Sequence, residues 1–98
     1  MTITKSGSGQ NLTLALEGRL DTTTAPELDN ELKASLDGVT SLVLDLEKLD
    51  YMSSAGLRVL RSAQKRMAKQ GGMKVIHVNE IIMEIFDVTG FVDILTIE

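Results

Sequence analysis

The chain contains no cysteine, and His77 is its only histidine. These absences exclude a disulfide scaffold and any zinc site built from cysteines or several histidines. The three aromatic residues (Tyr51, Phe86 and Phe91) are too few to form the stacking platforms of a single-strand nucleic-acid binder. No apolar run approaches the roughly 20 residues of a membrane span, and the first ten residues lack the apolar segment of a signal peptide. We therefore expect a cytoplasmic protein.

The composition that remains is typical of a globular protein. The 98 residues are 43% hydrophobic and 24% charged, and 14 acidic against 10 basic residues give a formal net charge of −4. This length suits one domain over residues 1–98. The negative balance argues against direct nucleic-acid binding, which depends on a positive field over the phosphates.

The first part of the chain predicts a hairpin followed by a helix. Residues 2–5 and the alternating segment Leu12–Gly18 form two strands joined by a turn of small residues. A polar loop, Arg19–Thr23, follows. The segment Thr24–Glu27 reads as a capping box with proline in the first helical turn, and Gly38 ends the helix.

The second part predicts strands alternating with helices, which calls for parallel pairing. The fold class is therefore α/β, with a mixed, mostly parallel sheet of four or five strands and three or more α-helices. The predicted elements are a strand over 42–46 that is buried on both faces, a connecting stretch over 47–53, a helix over 54–70, a strand over 73–78, a helix capped by Asn79 and ending near Gly90, and a short strand over 94–97. The predicted core comprises Leu14, Leu16, Leu42, Leu44, Leu46, Leu57, Leu60, Val75, Ile85 and Phe86.

The turn before the helix 54–70 is the most informative place for function. It lies at the carboxyl end of a buried parallel strand, where open α/β sheets bind their ligands. The start of a helix also offers unpaired N–H groups and a partial positive charge to an anion. One of Ser53 and Ser54 is expected to cap this helix. Alternatively, one of them accepts a phosphate, which Arg58, one helical turn after Ser54, could pair with.

Charge is unevenly distributed around this turn. Residues 51–79 hold six basic side chains and no acidic one. Four of them (Arg58, Arg61, Lys65 and Lys69) fall on one side of the predicted helix, and we call these four the basic stripe. Such a stripe is either a solvated face or a docking surface for an acidic partner.

Catalytic and metal sites find little support. Residues 52–56 form half of a Gly-x-Ser-x-Gly nucleophile elbow, and His77 ends a neighbouring strand, so a small serine hydrolase is conceivable. The first glycine of that motif is Met52, however, and the chain lacks the length for an oxyanion loop and a substrate pocket. Asp21 and Asp50 are weak candidates for a magnesium ion. We predict no metal, no cofactor and no enzymatic activity.

Two segments carry a resemblance to a known family. The segment Leu49–Leu60, LDYMSSAGLRVL, closely resembles the signature of the STAS domain family, the bacterial anti-sigma factor antagonists. Gly18–Leu28, GRLDTTTAPEL, is similar to the second hallmark of that family, its early loop and first helix. The order and spacing of the elements match over essentially the whole chain.

The resemblance implies a regulatory binding protein. In the family, the unphosphorylated domain binds an anti-sigma factor that is also a serine kinase, and this binding frees a sigma factor. The kinase phosphorylates a serine of the turn, and a serine phosphatase restores it. The residues implicated here in partner binding, from the motifs and the basic stripe, are Asp21, Thr22, Ser53, Ser54, Gly56, Arg58, Arg61 and Lys65.

The turn departs from the common family pattern at the phosphorylated position. The usual acceptor, just before the glycine, is Ala55 in this chain. Phosphorylation therefore falls on Ser54, falls on Ser53, or does not occur; Ser54 is favoured because it matches the first serine of the pair and lies nearest the helix start. A chain without the switch would be a STAS subunit of another complex, such as a lipid transporter.

Overall fold

The computed structural model describes all 98 residues and contains a four-stranded sheet, three α-helices and a short 3₁₀ turn. The sheet order is β1-β2-β3-β4, with β1 antiparallel to β2 and the other neighbours parallel, so the predicted α/β class with a mixed sheet is confirmed. The elements are β1 (Thr2–Ser8), β2 (Asn11–Leu20), α1 (Ala25–Ser35), β3 (Ser41–Met52), α2 (Ser54–Gln70), β4 (Gly72–Ile76), α3 (Glu80–Thr89) and the 3₁₀ turn (Phe91–Asp93). None of the helices is both long and apolar enough to cross a membrane.

The hydrophobic core lies on one face of the sheet. Leu42, Leu44 and Leu46 of β3 are fully buried, and the buried side chains of all three helices belong to the same cluster of 23 residues. Val43 and Asp45, which alternate with these leucines, are only half-buried. The prediction that this strand is buried on both faces is therefore wrong, because no helix covers the second face.

Nine of the ten predicted core residues are buried. The exception is Ile85 of α3, which is half-buried, while Ile82 of the same helix is fully buried. The orientation of α3 on the sheet thus differs from the predicted one by part of a helical turn.

The N-terminal hairpin is longer than predicted. β1 runs to Ser8, and the turn shrinks to residues 9–10. β2 continues beyond Gly18 to Leu20 after a shift in register with β3. The predicted polar loop therefore begins only at Asp21.

β3 is also longer, because it includes most of the predicted connecting stretch over 47–53. At two places in its register with β2, β3 contributes one extra residue, which is a β-bulge. From the first bulge onward its buried side chains recur every third residue, at Leu46, Leu49 and Met52. The bulges carry β3 to the start of α2.

The helix α2 has the predicted bounds, 54–70. At its C-terminal end, the Gln70 side-chain amide donates hydrogen bonds to the backbone oxygens of Leu36 (2.7 Å) and Val39 (2.6 Å). The next residue, Gly71, approaches Thr40 so closely that a Cβ would lie 1.8 Å from its backbone oxygen. Only glycine fits there, and the end of α2 is thereby fixed to the α1–β3 connection.

In the C-terminal part of the chain, the structure confirms the predicted helix cap at Asn79 and corrects the two predicted strands. β4 ends at Ile76, two residues earlier than predicted. Asn79 caps α3 as predicted, since its side-chain oxygen accepts a hydrogen bond from the Ile82 N–H (2.9 Å). The predicted strand over 94–97 is wrong: this segment makes a single bridge, between Ile97 and Val75, after the 3₁₀ turn.

Candidate functional site: the two loops at the carboxyl edge of β2 and β3

The two segments singled out in the sequence meet at one edge of the sheet. The last residues of β2 and β3, Leu20 and Met52, are paired, and the Ser53 N–H donates a hydrogen bond to the Leu20 backbone oxygen (2.8 Å). The loop that begins at Asp21 and the start of α2 at Ser54 therefore emerge side by side. We call these two loops, residues 21–24 and 53–54, the loop pair.

Gly56 holds the start of α2 against the end of β2. It is buried, and a Cβ at this position would lie 2.7 Å from Leu20 Cγ and 3.0 Å from Met52 Cγ. Both of those side chains are themselves buried. The structure thus gives Gly56 a packing role beneath the loop pair, and it is not among the exposed residues of the site.

The two serines of the turn occupy different environments. Ser53 is the N-cap residue of α2, but its hydroxyl does not cap the helix; it is shielded from solvent and has no hydrogen-bond partner. Ser54 is the first residue of α2 and is exposed. The expectation that one of these serine hydroxyls caps the helix is therefore wrong, and the accessible hydroxyl is that of Ser54.

The start of α2 favours a negative charge. No acidic residue lies in its first turn. The first N–H to bond within the helix is that of Leu57, to the Ser53 backbone oxygen (3.0 Å), which leaves the preceding N–H groups without an intrahelical acceptor. Those groups and the helix dipole would stabilise an anion next to Ser54.

Asp21 organises the neighbouring loop. Its Oδ1 accepts hydrogen bonds from the N–H groups of Thr23 (3.0 Å) and Thr24 (3.1 Å), and Arg19 Nε lies 3.7 Å from its Oδ2. The hydrogen bond from the Thr24 N–H is the largest influence that lowers the pKa of the Asp21 carboxyl. Thr22 is exposed at the tip of this loop.

The predicted capping box does not form. Thr24 is the N-cap residue of α1, yet its hydroxyl makes no cap. It instead accepts a hydrogen bond from the Asp21 N–H (2.9 Å) and donates one to the Arg19 backbone oxygen (2.7 Å). The threonine thus closes the Asp21 loop rather than the helix.

The basic stripe runs along α2 away from the loop pair. Arg58, Arg61 and Lys65 are exposed, and none of them forms a salt bridge. Arg66, which is not part of the stripe, pairs with Asp37 at 2.7 Å. The stripe therefore presents uncompensated positive charge beside Ser54 on a chain whose net charge is negative.

One titratable pair lies away from the loop pair, and the sequence analysis missed it. His77 Nδ1 is 2.9 Å from Asp45 Oδ1 and 4.0 Å from Glu47 Oε1. The hydrogen bond to Asp45 raises the pKa of His77. A signal was present, since an acidic residue interrupts a buried strand at Asp45 and the lone histidine follows the adjacent strand.

This pair places the single histidine of the chain away from the two serines of the turn. From Asp45 to the end of β3 at Met52 the strand spans seven residues, or roughly 20 Å. His77 is bonded to Asp45 and is therefore far from Ser54. No group of three or more histidine and carboxylate side chains is placed to hold a metal ion.

Comparisons with known proteins show which family the chain resembles over its length. BtrV of Bordetella bronchiseptica, named as an anti-sigma factor antagonist, is 36% identical over 88 residues, which cover 88% of this chain and 76% of BtrV. The anti-sigma-B factor antagonist of Bacillus subtilis is 34% identical over 83 residues, which cover 84% of this chain and 76% of that protein. The fold matches SpoIIAA, an anti-sigma factor antagonist in its unphosphorylated form, with a TM-score of 0.85 at 14% identity over 99% of this chain and 88% of that one. The model of the STAS domain matches residues 2–98, and the chain belongs to the STAS domain family.

Proposed function

We propose that this chain, as a single STAS domain over residues 1–98, is an anti-sigma factor antagonist. It binds an anti-sigma factor that has serine kinase activity and so releases a sigma factor. It acts in the cytoplasm by protein binding, without catalysis of its own and without direct contact to nucleic acid or membrane. The names of BtrV and of the Bacillus subtilis relative support this function.

The observation that carries the proposal is the exposed Ser54 hydroxyl beside the Asp21 loop. A kinase must bring the acceptor oxygen in line with the γ-phosphorus of ATP, so a shielded hydroxyl is a poor substrate. Ser54 meets this requirement, whereas the Ser53 oxygen is covered and Ala55 has no hydroxyl. We therefore assign the phosphorylated position to Ser54.

Phosphorylation of Ser54 would act on the interface rather than on the fold. The added phosphate carries about two negative charges at neutral pH, and the free N–H groups at the start of α2 together with Arg58 would stabilise it within the domain. A partner surface that fits the uncharged turn would face desolvation of this phosphate and repulsion from it. The phosphorylated domain would remain folded and lose its partner.

The partner surface in this proposal combines the loop pair with the basic stripe. Asp21 and Thr22 lie beside Ser53 and Ser54, Gly56 supports them from below, and Arg58, Arg61 and Lys65 extend the surface along α2. The unpaired positive charge of the stripe suits an acidic region of the anti-sigma factor. A serine phosphatase would reverse the modification at the same exposed turn.

The test is phosphorylation by the cognate kinase with labelled ATP, using matched serine variants. We expect label in the wild type and in Ser53→Ala, and none in Ser54→Ala. Ser54→Asp should unfold at nearly the wild-type temperature, yet bind the kinase more weakly than Ser54→Ala does. Label that persists in Ser54→Ala and disappears in Ser53→Ala would move the switch to Ser53.

The alanine at the usual acceptor position favours one alternative, a STAS subunit that lacks the switch. Such a subunit would belong to a transporter or another complex. It predicts no label in any of the three chains and equal partner binding by Ser54→Asp and the wild type. The same experiment therefore separates the two functions.

A further inference from the structure

The helix α3 carries more apolar side chains than the core uses. Ile82 and Phe86 are its two buried residues. On an adjacent side, Ile81 is 60% exposed, Val88 is 78% exposed, and Ile85 between them is half-buried. These three positions are spaced i, i+4, i+7 and so form one continuous line, which we call the α3 ridge.

Exposure of this ridge is unusual for the molecule. Only four large hydrophobic side chains of the chain are exposed, and two of them belong to this ridge. Scattered apolar residues are normal on a surface, but a line of aliphatic side chains on one helix is typical of an interaction site.

Carboxylates border the ridge. Glu80, Glu84 and Asp87 are exposed and form no salt bridges. At about 100° of rotation per residue they lie together on the solvent side of the ridge. Residues 80–98 contain five acidic residues and no basic one, and of these five only Glu98 forms a salt bridge, with Lys74 at 3.6 Å.

We propose that the α3 ridge packs against an amphipathic helix of a partner protein whose apolar side is flanked by lysine or arginine. The spacing of Ile81, Ile85 and Val88 is that of the contact positions of a two-helix seam, which alternate by four and three residues. The unpaired carboxylates select a basic flank by charge complementarity.

A second copy of this chain is a poorer occupant. Two α3 ridges packed face to face would bring their uncompensated carboxylates together. Three aliphatic side chains also offer far less surface than the roughly 800 Å² per partner of a stable protein–protein interface. The ridge suits a short contact with a positively charged helix. This inference does not depend on the switch at Ser54.

The probe for this inference is a synthetic helical peptide of three heptads with leucine on one side and lysine on the other. Titration into the full ¹⁵N-labelled chain should shift the amide signals of α3 around Ile81, Ile85 and Val88. The double variant Ile81→Ser/Val88→Ser should bind about tenfold more weakly or worse, because apolar anchors dominate such contacts. Glu84→Lys should also weaken binding, and a peptide with glutamate in place of lysine should not bind.

The control is Tyr51→Ser, which removes an exposed hydrophobic side chain outside α3 and should leave the affinity unchanged. The α3 variants should unfold near the wild-type temperature, since the substituted side chains are exposed. Three results would overturn the proposal: shifts confined to another surface, equal binding of the glutamate peptide, or self-association of the free chain that the double variant abolishes. The last would assign the ridge to a second copy.

Discussion

Replacing Gly56 with alanine tests whether the loop pair depends on close packing at the start of α2. The new Cβ would lie 2.7 Å from Leu20 Cγ, a branch point inside a fully buried side chain, and 3.0 Å from Met52 Cγ. Overpacking of a core costs about 1–3 kcal/mol. The higher helix propensity of alanine offsets at most about 1 kcal/mol of this cost, and the offset is smaller near the start of a helix. We therefore expect a net loss of about 1–2 kcal/mol in the free energy of unfolding.

The assay is denaturant unfolding together with a thermal melt, in which each kcal/mol corresponds to about 4–8 °C for a chain of this size. Gly72→Ala is the matched control, because no heavy atom lies within 4 Å of its added Cβ. That variant should be neutral or slightly stabilised through the entropy of its unfolded chain. If Gly56→Ala were as stable as Gly72→Ala, then the packing beneath the loop pair would not be what fixes the turn.

Three further predictions concern the core, the basic stripe and the histidine pair. Leu44→Ala should lower the free energy of unfolding by about 2–5 kcal/mol, and a denaturation midpoint close to wild type would contradict its burial. Replacing both Arg61 and Lys65 with Glu should slow association with the anti-sigma factor and weaken the salt dependence of its rate, whereas Lys48→Glu should do neither. If the association rate measured by stopped-flow at low salt were unchanged, the basic stripe would be only a solvated face. Because the folded-state pKa of His77 is raised above 6.5, its pair stabilises the wild type over His77→Gln below pH 6.5, and the difference should shrink as the pH rises through the folded-state pKa. A difference that grows with pH, measured by urea titration, would show the opposite linkage.

The parts of the fold that the sequence predicted are those with a regular period. The helix over 54–70 has the predicted bounds because its apolar residues repeat at helical spacing between a serine start and a double glycine. β3 could not be predicted beyond Leu46, because its two bulges replace alternation by a spacing of three. The segment 94–97 looks like a strand because it alternates, yet only Ile97 finds a partner. The extent of β3 and the structure of segment 94–97 both depend on pairing with residues distant in the sequence, which no local pattern encodes.

The site was predictable in place but not in detail. The family motif located the turn with its two serines and the Asp21 loop. The Ser53 hydroxyl is shielded because Ser53 packs against the end of β2, and so the accessible hydroxyl is that of Ser54. This packing is a tertiary effect that the motif does not contain. The Asp45–His77 pair depends on the register of two parallel strands and on the position of His77, which directly follows the last residue of β4.

The attachment of α2 at both ends limits how a change at Ser54 can spread through the molecule. Gly56 seats the first turn of the helix against Leu20, and Gln70 ties the last turn to two backbone oxygens of the α1–β3 connection. A helix that is held at both ends does not shift along its own axis, so α2 is unsuited to transmit a change by sliding. In the proposed switch, a phosphate on Ser54 would therefore act on the surface around it, and its effect would pass to the partner that binds that surface.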